Sequence, residues 1–174
     1  MLFRSSGLYA IHYRGYGGSD GAPDEDGLHR DALAAYGEVQ RRFPQSKVII
    51  FGESLGSGVA VRLASIKPAA ALVLDSPYVS VLDRAEATYP WLPVWLLLAD
   101  TFRSDSWIRS VRAPLLVLHG EKDGIIPFAD GQRLFALANE PKTFIGFPEA
   151  GHIGGFRFGA MEHIRTFLKE KAGI

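Results

Sequence analysis

Val48-Ile49-Ile50-Phe51-Gly52-Glu53-Ser54-Leu55-Gly56 is the stretch on which the reading of this 174-residue chain turns. Four apolar residues in a row, two of them isoleucine, are a short buried strand, and the run from Gly58 to Ser65 that follows is compatible with a helix. Between them, glycines stand two residues either side of a serine. In a turn that passes directly from strand to helix, flanking Cβ atoms are expected to collide, which is the reason for glycine at both positions. The serine hydroxyl is then held above the sheet edge, at the positive end of the following helix. This is the local geometry of a nucleophile elbow.

Working outward, further short apolar runs occur at Leu8–His12, Ala70–Leu74, Leu115–Leu118 and Thr143–Phe147. They lack the alternation of a half-exposed strand and fit strands covered on both faces. Helical patterns fall between them. Leu28, Ala32, Ala35, Tyr36, Val39 and Phe43 keep a helical stripe that Pro44 closes. Later helices are expected over 58–66, 128–139 and 158–171, the last with Phe158, Met161, Ile164 and Leu168 on one face. The β-α-β-α order implies a single α/β domain, a three-layer α/β/α arrangement around an open, mostly parallel sheet. Residues 76–111 break the rhythm, being too long for one crossover helix, and carry Trp91, Trp95 and Trp107. They are read as a small helical cap of one or two helices, most of whose aromatics pack it onto the sheet.

Composition narrows the function classes. Residues Ala, Val, Ile, Leu, Met, Phe, Trp, Tyr and Cys make up 47% of the chain and the formal net charge is zero. No basic field exists to hold nucleic acid or an anionic membrane surface. With no cysteine, disulfides, thiolate metal sites and thiol catalysis are excluded. The stretch Trp91 to Ala99 is the longest apolar one, is interrupted by Pro93, and is too short to span a bilayer. The first eight residues lack the apolar core and cleavage site of a secretory signal. A soluble, cytoplasmic protein without integral membrane segments is expected, and no sequence feature specifies an oligomeric state. The glycine-rich 14–21 segment matches neither a phosphate loop nor a dinucleotide fingerprint. No histidine–carboxylate set has metal-ligand spacing, so neither metal nor cofactor is expected.

A serine hydroxyl is a poor nucleophile until a base takes its proton and a third group orients that base. In an open parallel sheet such groups gather beyond the carboxyl ends of the strands. Two residues satisfy this: Asp123, in His119-Gly120-Glu121-Lys122-Asp123 after the 115–118 strand, and His152, in Glu149-Ala150-Gly151-His152 after the last one. Asp75, ending the 70–74 strand, is a rival acid. His119 ends a strand near the site, where bracing the next loop is its simplest role.

With these pieces in hand, the chain resembles the α/β-hydrolase superfamily, in particular small-cap serine hydrolases akin to serine aminopeptidases and dienelactone-hydrolase-like esterases. The resemblance rests on Tyr13-Arg14-Gly15-Tyr16-Gly17-Gly18-Ser19, the Gly52–Gly56 elbow, Asp75-Ser76-Pro77-Tyr78, His119 to Asp123 with Ile126-Pro127, and Gly151-His152, in the family's order from about residue 8 onward. It implies Ser54 as nucleophile, Asp123 as orienting acid, His152 as general base and the Leu55 N–H as one oxyanion donor. Tyr78, Trp91, Leu92 and Ile125 are the expected substrate contacts, and the substrate is a small ester or peptide.

Against the family pattern the chain begins late. Three strands and a helix are expected before Leu8–His12, with Met1–Gly7 as that helix's tail, so the resemblance is to a truncated fold. The absent third-strand loop carries the family's second oxyanion donor, the loss of which costs about 10²–10³ in turnover. His12 also stands where the family has an acid. The alternative expectation is therefore a catalytically impaired fragment with at most a binding role.

Overall fold

The computed structural model describes residues 7–174, which divide into two compact units, one ending at Ser46 and the other Lys47–Ile174. The helix tail expected over Met1–Gly7 lies, but for Gly7, outside the described residues.

The first unit is organised by helix α1, Glu25–Arg42. Asp24 caps it by accepting the Gly27 N–H at 2.7 Å, and acids in the first turn with arginines in the last complement the helix dipole. Leu28 and Ala32 of the predicted stripe are buried. Ahead of the helix, Arg14 clasps Asp31 through both guanidinium and backbone nitrogens, at 2.7–3.1 Å. Residues 8–12 do not form the expected strand: they adopt no regular structure and Leu8 is 94% exposed. A strand exists only by pairing, and among the described residues every strand lies at Ile49 or beyond.

The second unit holds that sheet. Strands β1 (Ile49–Glu53), β2 (Ala71–Asp75), β3 (Leu115–Gly120) and β4 (Lys142–Phe147) are all parallel and lie side by side in chain order. Every residue of β2 and β3 is buried, as expected for the apolar runs 70–74 and 115–118, and with them Asp75 and His119. The outer strands differ from the expectation of cover on both faces. β1 alternates, with Ile49 and Phe51 exposed, and β4 is only half-buried until Phe147.

Successive side chains of β2 and β3 point to opposite faces and seed two cores. On one face Leu72, Leu74, Leu115 and Val117 pack with α2 (Leu55–Ile66), Ile108 and Leu134 of α6 (Phe128–Leu137). On the other, Ala71, Val73, Leu116 and Leu118 pack with α7 (Ala160–Phe167). Each fully buried aliphatic contributes about 1.5–3 kcal/mol, so the central strands carry much of the unit's hydrophobic stabilisation. The buried face of α7 is Ala160, Ile164, Phe167 and Leu168, whereas Phe158 and Met161 are exposed. Gly159, at φ +90°, ends a 3₁₀ turn over Gly155–Phe158 and restarts the helix in a new phase, which carries Phe158 off the predicted stripe.

Residues 76–111 contain three short helices, α3 (Val81–Thr88), α4 (Val94–Leu97) and α5 (Ser104–Trp107), and a 3₁₀ turn at Ile108–Ser110. That exceeds the one or two helices expected: Pro90 and Pro93 part α3 from α4, and residues 98–103, which are not helical, part α4 from α5. Ile108 is fully buried in the sheet's core.

Candidate active site

Ser54 is the residue between β1 and α2, and its backbone stands at φ +51°, ψ −123°. A non-glycine residue there costs on the order of 1–3 kcal/mol and persists only where its surroundings impose it. Two constraints do so. The Ser54 N–H donates to the Asp75 carbonyl at 2.9 Å, continuing the β1–β2 ladder past its end. Gly52 lets α2 approach β1: a Cβ on it would lie 2.5 Å from Ala60 Cβ and 2.6 Å from the Gly56 carbonyl oxygen. Gly56 is different. A Cβ there would meet nothing within 4 Å, so only the first glycine of the pair is required by collision.

The strand ends bring three sequence-predicted residues together. His152 Nε2 lies 2.9 Å from Ser54 Oγ, and His152 Nδ1 lies 2.8 Å from Asp123 Oδ2. Asp123 Oδ1 accepts the N–H groups of Ile125 and Ile126, both at 2.9 Å. Burial opposes charge on this carboxyl, but the hydrogen bonds from His152, Ile126 and Ile125 outweigh it and hold the pKa below the usual carboxylate value. Ionised Asp123 can only accept, which assigns the proton on that side of the ring to His152 Nδ1 and leaves Nε2 free to take the Ser54 proton. The loops carrying Asp123 and His152 touch backbone to backbone. Glu121 N–H donates to Phe147 and Lys122 N–H to Ala150, both at 3.0 Å. A Cβ on Gly120 would sit 2.3 Å from the Gly151 carbonyl oxygen.

Asp75, the rival acid, makes no such contact with His152. Its carboxyl is buried with Oδ2 unpartnered, and burial together with the nearby Glu53 pushes its pKa up to about 6. Leu55 opens α2, so its N–H is among the helix-start donors with no intrahelical acceptor.

The other expected substrate contacts fare differently. Ile125 is 64% exposed beside Asp123. Tyr78 is 3% exposed, its hydroxyl donating to the Leu55 carbonyl at 3.2 Å and its ring closing over Gly58. A ring so enclosed braces the first turn of α2 and offers no face to a ligand. Trp91 and Leu92 line an open depression with Glu86, Tyr89 and Trp95, in which Ser54, Asp123 and His152 take no part. The sequence reading missed Ser76, which is fully buried at φ +49° and whose Oγ accepts the Ile153 N–H at 3.2 Å. No periodicity marks such a residue. The Asp-Ser-Pro stretch after a strand was its only signal. Among the described residues no group of three or more His, Asp or Glu is placed to hold a metal ion, and no helix is long and apolar enough to cross a membrane.

Comparison with known proteins bears on this arrangement. Residues 3–110 match the family model of serine aminopeptidase, S33. An uncharacterized protein of Mycobacterium tuberculosis is 44% identical over 165 residues, covering 92% of this chain and 59% of the relative. The zebrafish (Danio rerio) lysophosphatidylserine lipase ABHD12 is 34% identical over 157 residues, covering 80% of this chain and 41% of the lipase. The chain thus spans less than two thirds of the length of these relatives. Among solved structures, an esterase of Pyrococcus furiosus superposes with a TM-score of 0.71 at 22% identity, over 91% of this chain and 68% of the esterase. That is a likeness of fold.

Proposed function

Since the chain belongs to the serine aminopeptidase family of α/β serine hydrolases, we propose that it cleaves a carboxylic ester or amide through an acyl-enzyme on Ser54. The observation that carries this reading is the unbroken hydrogen-bonded series from Ser54 Oγ through His152 to Asp123. In the first half-reaction His152 Nε2 takes the hydroxyl proton as Ser54 Oγ attacks the carbonyl carbon. The imidazolium is stabilised by the Asp123 carboxylate, and the Leu55 N–H faces the developing oxyanion at the start of α2. The leaving alkoxide or amine collects the proton from Nε2. Water then repeats the sequence and frees the acid and Ser54. A positioned base contributes about 10²–10⁴ in rate and an oxyanion donor about 10²–10³.

Small-molecule esters come first as substrates, because the names of the relatives are lipase and esterase. The test is hydrolysis of p-nitrophenyl acetate by the purified chain. Saturable turnover that His152→Ala abolishes supports the reading. A folded chain without turnover would leave it a hydrolase-like fragment with a binding role.

A further inference from the structure

His119 is a buried titratable group that the mechanism above does not use. It ends β3 with no exposed surface. Its Nε2 lies 2.9 Å from the Ile126 carbonyl oxygen. A carbonyl can only accept, so the proton is on Nε2. Nδ1 then carries a bare lone pair, and it has no hydrogen-bond partner. It packs against Gly131 of α6, where even a Cβ would come within 2.3 Å, and Phe128 closes the ring edge-on at 5.6 Å. An added Nδ1 proton would be buried without an acceptor, so the imidazole stays neutral. Burial correspondingly holds its pKa below the usual histidine value, against the hydrogen bond to the Ile126 carbonyl and the pull of Asp123 and Asp130, and with the push of His152.

The consequence lies in what the Ile126 peptide does next. Its carbonyl accepts from His119, and its N–H donates to Asp123 Oδ1. The same His119 Nε2–H has Asp123 Oδ2 as its second neighbour at 3.4 Å, and that is the oxygen bound to His152. We propose that His119 is a positioning residue for the site: one neutral N–H fixes the Ile126 peptide and, through it, the plane in which Asp123 meets His152. Without it the loop from Glu121 to Pro127 can rotate the carboxylate about its own axis and carry Oδ2 off the imidazole. This rests on Asp123 being the acid of the proposed reaction, and the chemistry is selective about which nitrogen matters. A glutamine amide reaches the place of Nε2, whereas an asparagine amide reaches only that of Nδ1.

The experiment compares His119→Gln, His119→Asn and His119→Leu. In p-nitrophenyl acetate turnover, Gln is expected to keep kcat within about threefold. Asn and Leu are expected to lose about 10–100-fold in kcat with KM unchanged, the size of effect that a misplacement of about 1 Å produces. Proton NMR of the folded proteins supplies a readout independent of turnover. The low-field His152 Nδ1–H signal of the Asp123 hydrogen bond should persist in wild type and His119→Gln and broaden or vanish in His119→Asn. Equal behaviour of Gln and Asn in both measurements, at matched Tm, overturns the proposal. If Leu fails to fold, the Gln/Asn pair still decides. If the wild type shows the signal but no turnover, the hydrolase reading fails while the NMR comparison still judges His119.

Discussion

Replacing each elbow glycine by alanine separates what the sequence pattern implies from what the packing requires. At Gly52 the new Cβ would stand 2.5 Å from Ala60 Cβ, 2.6 Å from the Gly56 carbonyl oxygen and 2.8 Å from Ser57 Cα. Two of these atoms are backbone in the first turn of α2, so relief requires the helix to move off β1. Overpacking of this kind costs about 1–3 kcal/mol, and the absence of a flexible side chain puts it at the upper end. For a chain of this size that lowers Tm by about 6–12 °C. Because Ser54 bridges the strand and helix being separated, its labelling by a fluorophosphonate should slow by about 10²-fold or more. At Gly56 nothing stands within 4 Å of the new Cβ and the backbone is helical. Alanine there reduces the freedom of the unfolded chain and stabilises by about 0.4–1 kcal/mol, with Ser54 undisturbed. Thermal and urea melts of both variants, with labelling rates, check the pair. Equal melting temperatures, or a greater loss at Gly56, would refute the reasoning.

Other predictions concern the carboxylates. Asp123→Asn keeps the shape but replaces an acceptor-only group by one that can donate toward His152. We expect kcat to fall about 10⁴-fold, as the same exchange does in a Ser-His-Asp protease, in a chain that still melts cooperatively; steady-state kinetics and a melt check it. Asp75 is raised from its ordinary value of 3.8 to about 6, so the folded state holds its proton more tightly than the unfolded one. Its contribution to stability is complete below about pH 4 and is lost as pH rises through about 6. Asp75→Asn cannot ionise. The variant-minus-wild-type difference in Tm should therefore climb between pH 4 and 6 and level off above, as followed by melts in a pH series. A difference that falls over that window would contradict the assignment.

Most of the sheet was legible because its strands are buried. β2 and β3 are unbroken apolar runs up to Asp75 and His119, and such runs have few other uses in a chain of this length. Leu8–His12 is likewise a short apolar run and forms no strand, since pairing depends on a neighbour that local sequence does not encode. The phase of α7 was misread for a related reason. Gly159 restarts the helix, and a stripe drawn through Phe158 crosses that break. At the site, the order Ser54, Asp123, His152 was readable because each follows a strand. That Asp123 meets His152 while Asp75 does not is a matter of loop crossing, set by the Gly120 contact with Gly151 and the Lys122–Ala150 hydrogen bond. The burial of Tyr78 was hidden because an aromatic after a strand reads equally as lining or as packing. Its partner, the Leu55 carbonyl, lies 23 residues back along the chain.

The central claim is that Ser54 Oγ is the nucleophile of a covalent reaction. Intact-mass and peptide mapping after treatment of the native chain with a fluorophosphonate tests it most directly. The account predicts a single adduct on the peptide containing Ser54, absent in Ser54→Ala and after denaturation, and strongly slowed in His152→Ala. Equal labelling of wild type and Ser54→Ala, or an adduct on another residue, would contradict it.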